Sequence, residues 1–291
     1  MPATTPVQLQ LKNILVPVDF SPRSEVAVKL AKALAEYHGS VIHVANVVES
    51  LDVSGMSTDA RRKIDANHPA TDFRSIETDL SGVSHATILL DGEVNACLHG
   101  AIKDRDIDLV VMATQGAAGC ERLLMGSVTE ELFREARCPV LVIGPRCTQD
   151  FRRFASFETI LYPMEMTPSS IAAIPHVIAL ADERGATVTL LHVAHSDIQS
   201  ASERQRIRER VGSEMKRLFP KRLLSSIDTI VEFGPITETI TEFAMAKHAD
   251  VVVLGVRSGG AFTRSATHIP WSIAHRIVAE APCPVLTVRN D

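Results

Sequence analysis

The sequence has no apolar run that approaches the roughly 20 residues needed to cross a bilayer, although 45% of its 291 residues are hydrophobic. Its first residues, MPATTPVQLQLKN, also lack the basic stretch and following apolar stretch of a secretory signal. We therefore expect no membrane partner and a cytoplasmic location. The length and composition predict a globular protein with two cores.

Cysteine and positive charge are also in short supply. The five cysteines are odd in number and include no CxxC pair, so neither a disulfide framework nor a structural zinc site is predicted. The net charge of −5 argues against a nucleic-acid partner, because the phosphate backbone of a nucleic acid is held mainly by an excess of Lys and Arg. His192 and His195 have a metal-like spacing, but alternation along a strand points them to opposite faces. We therefore predict no metal site.

What the sequence does contain is a repeat. Asn13–Pro22 reads NILVPVDFSP and Thr159–Pro168 reads TILYPMEMTP, and the segments RCPVLV and APCPVL occupy matching places near the ends of the two copies. A repeat of this length is a duplicated domain. We predict a first domain at residues 1–147, a linker at 148–156 and a second domain at 157–291.

Each copy alternates short apolar runs with amphipathic segments. In the first copy Ile14–Val18 is apolar, and Ser21 followed by Pro22 then marks the start of a helix. Further helices are predicted from about Thr58 to Leu80, with an interruption at Asn67-His68-Pro69, and from Thr167-Pro168 to Arg184. Runs such as LVVM and VLVI lack alternation, which is typical of strands covered on both faces. The repeated strand–helix units predict two α/β domains, each a doubly wound parallel sheet.

Two segments of the first copy converge where open parallel sheets bind ligands, at the carboxyl ends of the strands. Asp19 ends the first strand and could accept a hydrogen bond from a ribose hydroxyl. The second segment contains Gly116 and Gly126, which allow close approach of the backbone to a ligand. Ser127 and Glu130 match a capping box, so a helix with free N–H groups would begin there. This segment is suited to wrap a phosphate chain.

The same residues also fit an ordinary structural role. Gly116 and Gly126 could serve only as turn glycines, and Asp19 and Ser127 only as helix caps. Known phosphate loops do not decide between the two, because the chain contains neither GxxxxGK[ST] nor GxGxxG. From the chemistry of these residues alone, both roles stay open.

The chain resembles the universal stress protein family over essentially its whole length, as two tandem domains. The family has a Rossmann-like, adenine nucleotide alpha hydrolase-like fold, and its nucleotide-binding members carry G-x2-G-x9-G-[ST] after the fourth strand. Ala113, Gly116, Gly126 and Ser127 match this motif with one change, Gly to Ala at the first position. Gln115 stands where the family often has His. The resemblance implies ATP, with or without Mg²⁺, as the ligand.

The resemblance also implies a role for each matching residue. The base and ribose would lie beside Pro17, Val18 and Asp19, and the backbone of Val44 would hold the adenine. Beneath the nucleotide would lie Met112 and Ala113, and around its phosphates Gln115, Gly116, Gly126, Ser127, Val128 and Thr129.

The second copy departs from this pattern. Glu165 replaces Asp19, the second glycine of the motif is Ser258, and Trp271 stands in the place of Gly126. A tryptophan at the position of closest phosphate approach would block or fill the pocket. We therefore expect nucleotide in the first domain only.

Two classes of function stay open. In the first, the protein is a stress-response sensor or regulator whose ATP-bound state alters binding to an unidentified protein partner. Hydrolysis would be slow at most, because no catalytic constellation can be assembled from the sequence. In the second, it is a nucleotide-free dimerising scaffold; the near-complete glycine motif favours the first. The resemblance further implies pairing of the two domains within one chain and leaves a homodimer open. An ATP pyrophosphatase-like enzyme fits less well, because no SGGxDS-like loop follows the first strand.

Overall fold

The structure, a computed structural model, describes residues 11–48, 73–114, 127–148, 150–194, 198, 200–257 and 271–290. Within these ranges no helix combines the length and the apolar character needed to cross a membrane.

The first copy is a run of alternating strands and helices. Its elements are β1 (Asn13–Pro17), α1 (Pro22–His38), β2 (Val41–Val48), α2 (Phe73–Asp79), β3 (His85–Asp91), α3 (Val94–Asp104), β4 (Leu109–Ala113), α4 (Ser127–Glu135) and β5 (Val140–Ile143). Ser21 caps α1 as predicted, since its hydroxyl accepts a hydrogen bond from the N–H of Ser24 at 3.3 Å. Of the helix predicted from Thr58 to Leu80, the structure describes the part after residue 72, where α2 lies.

The second copy repeats this order after a short additional helix. Its elements are α5 (Phe151–Ser156), β6 (Thr159–Pro163), α6 (Pro168–Ala172), α7 (Ile174–Arg184), β7 (Thr187–Ala194), α8 (Ala201–Arg217), a 3-10 turn (Lys221–Leu223), β8 (Ile227–Phe233), α9 (Ile236–Ala246), β9 (Val251–Arg257), α10 (Trp271–Glu280) and β10 (Val285–Asn290). The prediction of one helix up to Arg184 is wrong, because the helix is interrupted at Ala173 and two helices result. Pro175 has no N–H to donate to the carbonyl of Ile171, so the helix cannot run through.

The strands of the described ranges form one ten-stranded sheet in the order β3-β2-β1-β4-β5-β10-β9-β6-β7-β8. Every neighbouring pair is parallel except β5 and β10, which pair antiparallel with Val142 opposite Val285. The two halves of the sheet therefore have the same topology and meet along their last strands. This confirms the predicted parallel α/β fold and the pairing of the two copies within one chain.

Burial explains why the strands lack an alternating pattern. The first four residues of β4 and all of β5 are buried, because helices cover both faces of the sheet. In each half the strand order reverses between two neighbouring strands, β1 and β4 in the first and β6 and β9 in the second. Such reversals open a crevice at the carboxyl ends of the strands.

The segment predicted as a linker contains α5, which is held by both copies. The ring of His38, at the end of α1, forms a 3.0 Å hydrogen bond with the carbonyl of Ala155. On the other side Arg153 Nε donates to Asp250 Oδ1 at 2.7 Å, and Asp250 Oδ2 accepts from the N–H of Thr159 at 2.9 Å. Asp250 is only 3% exposed, so its negative charge depends on these partners. The domain boundaries themselves remain a prediction.

Replacing Asp250 with alanine is expected to lower the free energy of unfolding by about 3 kcal/mol, because the Thr159 N–H and Arg153 Nε both lose their acceptor. Urea unfolding followed by circular dichroism measures this change. Asp228→Ala is the matched control. It removes an exposed 3.0 Å ion pair with Lys247 and should cost less than about 1 kcal/mol. Equal costs for the two variants would contradict the structural role of Asp250.

Candidate functional site

A cleft with a volume of about 310 Å³ lies at the carboxyl ends of β1, β2 and β4, where the strand order of the first copy reverses. Helices α1, α3 and α4 complete its walls. It is lined by Pro17, Val18, Asp19, Ser21, Arg23, Ser24, Ala45, Asn46, Val47, Val94, Leu98, Met112, Ala113 and Val128. A largely apolar cleft of this size with a few polar groups is typical of small-molecule sites.

Asp19 supplies the carboxylate of the cleft. Its Oδ1 accepts a hydrogen bond from the N–H of Ser21 at 3.0 Å, next to the start of α1. Burial acts to raise the pKa of Asp19, but hydrogen bonds from Ser21 and Ser24 outweigh it, so the pKa lies below its ordinary value. The group is therefore an ionised acceptor at neutral pH. A carboxylate offers about four lone-pair sites, which leaves acceptor capacity for a ligand.

The turn after Asp19 has a strained backbone. Phe20 adopts a left-handed φ of 58°, which is unusual for a bulky residue, and its ring packs edge-on against Phe73 with centroids 5.1 Å apart. Met166, at the matching place in the second copy, has a φ of 61°. Because both copies share the strain, it belongs to the strand-to-helix turn of the fold and does not by itself indicate a ligand.

Strand β2 contributes the wall beside Val18. The Val18 N–H donates to the carbonyl of Ala45 at 2.8 Å, and Asn46 Nδ2 donates to the carbonyl of Val18 at 2.8 Å. Val44, predicted to hold adenine through its backbone, is fully buried one residue before these lining residues. The Val44 contact stays a prediction.

The structure brings several predicted site residues together in the cleft: Pro17, Val18, Asp19, Met112, Ala113 and Val128. Ser127 and Thr129 lie in the first turn of α4, and their side chains are outside the described part of the chain, so the capping box stays a prediction. Gln115, Gly116 and Gly126 lie outside the described residues. The first turn of α4, with the positive end of its dipole, lies beside the cleft, since Val128 is a lining residue.

Sequence reasoning missed Arg23 and the apolar wall formed by Val94 and Leu98 of α3. Arg23 could have been found, because it follows Pro22 in the first turn of the helix that begins beside Asp19. Val94 and Leu98 carry the ordinary signal of a helix that packs on a sheet. Their spacing does not distinguish a wall of the cleft from core.

In the second copy, backbone packs closely at the place that matches the floor of this cleft. Gly255 occupies the place of Ala113, and a Cβ added there would overlap the carbonyl oxygen of Ser169 and lie 2.9 Å from the Cα of Ser170. Tyr162, fully buried in the place of Val16, donates its hydroxyl hydrogen bond to the carbonyl of Ser170. The α6 turn therefore packs directly against β9, at the position where the first copy has its cleft.

A sequence model of the universal stress protein family matches the chain twice, at residues 10–144 and 156–289. The chain belongs to the universal stress protein family. A universal stress protein of Mycolicibacterium smegmatis is 26% identical over 298 residues, covering 95% of this chain and 97% of that protein. One from Thermus aquaticus is 32% identical over 138 residues, covering 45% of this chain and 98% of its own.

Two further comparisons are with a much longer protein and with a crystal structure of similar length. The chain is 27% identical over 186 residues to the Na(+)/H(+) antiporter NhaS5 of Synechocystis, but the match spans only 26% of that protein. The crystal structure of a universal stress protein from Archaeoglobus fulgidus superposes with a TM-score of 0.69, at 16% identity and 97% coverage of both chains. At that identity the likeness shows the fold alone.

Proposed function

We propose that this universal stress protein binds one ATP per chain, in the cleft of the first copy, and acts as a sensor or regulator whose nucleotide-bound state alters binding to a partner in the stress response. The observation that carries the proposal is the open cleft at the strand reversal, with Asp19 on its floor and the N-terminus of α4 beside it. At the matching place in the second copy, the backbone of Ser169 and Ser170 packs against Gly255.

The cleft divides into regions that suit the parts of a nucleotide. Apolar residues of β2 and α3, such as Val47 and Leu98, offer a surface for a base. Asp19 is placed to accept hydrogen bonds from ribose hydroxyls, as acidic residues do at the ends of such strands. The phosphates would extend toward the start of α4 and the glycine motif before it. The helix dipole contributes about 0.3–1 kcal/mol, so micromolar binding at about −8 kcal/mol also requires hydrogen bonds and base contacts.

Among the described residues that line the cleft, no group is suited to fast hydrolysis. Asp19 would be occupied by the ribose, and the other polar side chains that line the cleft are Ser21, Arg23, Ser24 and Asn46, none of which is a general base at neutral pH. Mg²⁺ would be held by the phosphates themselves. We therefore propose ATP turnover that is slow at most, with binding as the function.

The alternative is a nucleotide-free scaffold that pairs between chains. The antiparallel pairing of β5 with β10 uses the last strand of each copy within one chain, so those edges do not remain for a second chain. In the described part of the chain the outer strands of the sheet are β3 and β8. A homodimer would need a surface other than the last strands. The pairing of β5 with β10 within one chain therefore does not favour the hypothesis of a scaffold that pairs between chains.

The test is the nucleotide content of the purified full-length chain, released with acid, identified by chromatography and counted per chain. We expect about one adenine nucleotide per chain in the wild type and none in Gly126→Trp, which places in the first copy the tryptophan that the second copy has. Nucleotide-stripped protein should then bind MgATP once by calorimetry. Absence of both bound nucleotide and binding of added MgATP would establish the scaffold instead. Two nucleotides per chain would contradict the proposal that only the first copy binds nucleotide.

A further inference from the structure

Three metal-ligating side chains meet between α3 and α4, outside the nucleotide cleft. His99 lies on α3, and Glu131 and Glu135 lie one turn apart on α4, so both carboxylates face the same neighbour. One ligand atom from each of the three lies within 4.8 Å of the others. Ligand atoms bound to one tetrahedral Zn²⁺ at about 2.0–2.2 Å lie about 3.4 Å apart, so modest side-chain rotations would complete such a site.

A second observation at this place also calls for a ligand. Nε2 of His99 is buried and has no hydrogen-bond partner among the described residues. Oδ1 of Asn95, one turn earlier on α3, is also buried and has no hydrogen-bond partner among the described residues. Nδ2 of Asn95 donates a hydrogen bond to Glu131 Oε2. More than about 90% of buried polar atoms are normally paired, and an unpaired imidazole nitrogen near two carboxylates has the chemistry of a metal ligand.

We propose that His99, Glu131 and Glu135 bind a divalent first-row transition cation, with Zn²⁺ as the best fit. An imidazole nitrogen with two carboxylates favours Zn²⁺ and its neighbours over Mg²⁺ and Ca²⁺, which prefer sites made entirely of oxygen. The hydrogen bond from Asn95 fixes the carboxylate of Glu131, as outer partners do at metal sites.

The surroundings of the cluster leave the cation accessible. His99 and Glu135 line a second cleft, with a volume of about 780 Å³, so a fourth coordination position would face solvent. Lys103, Arg137 and Arg289 line the same cleft. Both carboxylates are therefore needed to offset this positive charge, and loss of either one should weaken binding strongly.

The experiment is a Zn²⁺ titration of the chelator-treated, nucleotide-free full-length chain against a competing chromophoric chelator. We expect one tight site in the wild type and at least about 100-fold weaker binding in His99→Gln and in Glu135→Gln. His85→Gln is the matched control; it removes a histidine of the same copy, whose Nδ1 lies 2.9 Å from the carbonyl of Val83, and should bind as the wild type does. Wild-type affinity in both cluster variants, or no tight site in the wild type, would overturn the proposal.

Two features keep this test decisive. Glu135 is exposed, so Glu135→Gln should fold normally. Circular dichroism of the variant checks this expectation. The wild type alone also gives an answer when Co²⁺ replaces Zn²⁺, because a protein-bound, low-coordinate Co²⁺ absorbs visible light much more strongly than aqueous Co²⁺. A spectrum identical to that of aqueous Co²⁺ would refute a built site.

A consequence for the nucleotide rests on the proposed function. Val94 and Leu98 of α3 and Val128 of α4 line the nucleotide cleft, so a cation that joins these two helices should change the affinity for MgATP. We expect Zn²⁺ to shift that affinity in the wild type but not in Glu135→Gln. Because the Zn²⁺ titration is done without nucleotide, tight metal binding together with no ATP binding would sustain the metal site and reject only the nucleotide function.

Discussion

Replacing Gly144 with alanine is expected to destabilise the protein by about 3 kcal/mol or more, the largest stability change that we predict for a single methyl group. Gly144 follows β5 at the junction of the two copies. A Cβ added there would overlap the carbonyl oxygen of Val278 and lie 3.0 Å from its carbonyl carbon. Both atoms are backbone of α10, so no side-chain rotation relieves the overlap and one copy must move against the other.

The chemistry of α10 explains why that carbonyl lies so close. In a helix the Val278 carbonyl would accept from the N–H of residue 282, but residue 282 is proline and has none. The oxygen is thus available to a neighbour, and only a glycine leaves room for it. At the matching place β10 has Arg289, whose Nη1 donates to the carbonyl of Glu135 at 2.7 Å. The junction is therefore closed differently on its two sides.

Gly100→Ala is the matched control for Gly144→Ala. Gly100 lies within α3, and a Cβ there would meet no described atom within 4 Å. This variant should stabilise the protein by about 0.5–1 kcal/mol, because alanine loses less conformational freedom in a helix. The urea midpoints of both variants and the wild type give the comparison. A Gly144→Ala midpoint equal to that of the wild type would show that the copies do not pack through this contact.

The fold was predictable from the sequence because the signals that determine it are local. The repeated NILVPVDFSP and TILYPMEMTP segments, the non-alternating apolar runs and the Ser21-Pro22 helix start predict parallel strands covered by helices, and the structure confirms them. The break at Ala173 was readable as well, since Pro175 stands inside the predicted helix. The docking of α5 was not, because its partners His38 and Asp250 lie about a hundred residues away on either side.

The site was predictable only in part. Asp19 and Ala113 could be placed because Asp19 lies two residues after β1 and Ala113 ends β4, and the carboxyl ends of neighbouring strands share one edge. The difference in the second copy depends on the contact between the Ser169 backbone and Gly255. This is a tertiary contact, and the spacing of residues in the sequence does not predict it. The sequence offered Trp271 as the block instead; its side chain lies outside the described part of the chain. His99 and Glu131 likewise show no motif, because they lie on different helices and only the packing of α3 on α4 joins them.

Replacing Asp19 with alanine is expected to weaken MgATP binding about 30-fold, which corresponds to ~2 kcal/mol for lost hydrogen bonds between the ribose and a charged acceptor. An opposing effect is smaller. Removing the negative charge of Asp19 would lessen its repulsion of the phosphates, but one pair of unit charges about 8 Å apart interacts by only about 0.5 kcal/mol in a water-like dielectric. Calorimetry on nucleotide-stripped protein measures the difference.

Two further variants separate a ribose contact from a structural effect of Asp19. Asp19→Asn keeps an acceptor oxygen and should recover most of the affinity. Glu165→Ala removes the matching carboxylate of the second copy, where the α6 turn packs against Gly255, and should bind MgATP as the wild type does. Asp19 also accepts from the N–H of Ser21, so Asp19→Ala should lose about 1 kcal/mol of stability as well, and the titrations are run well below its unfolding temperature. Unchanged MgATP affinity in Asp19→Ala would mean that the ribose does not bind at the end of β1. A loss of MgATP affinity in Glu165→Ala equal to that in Asp19→Ala would mean that the second copy also binds nucleotide.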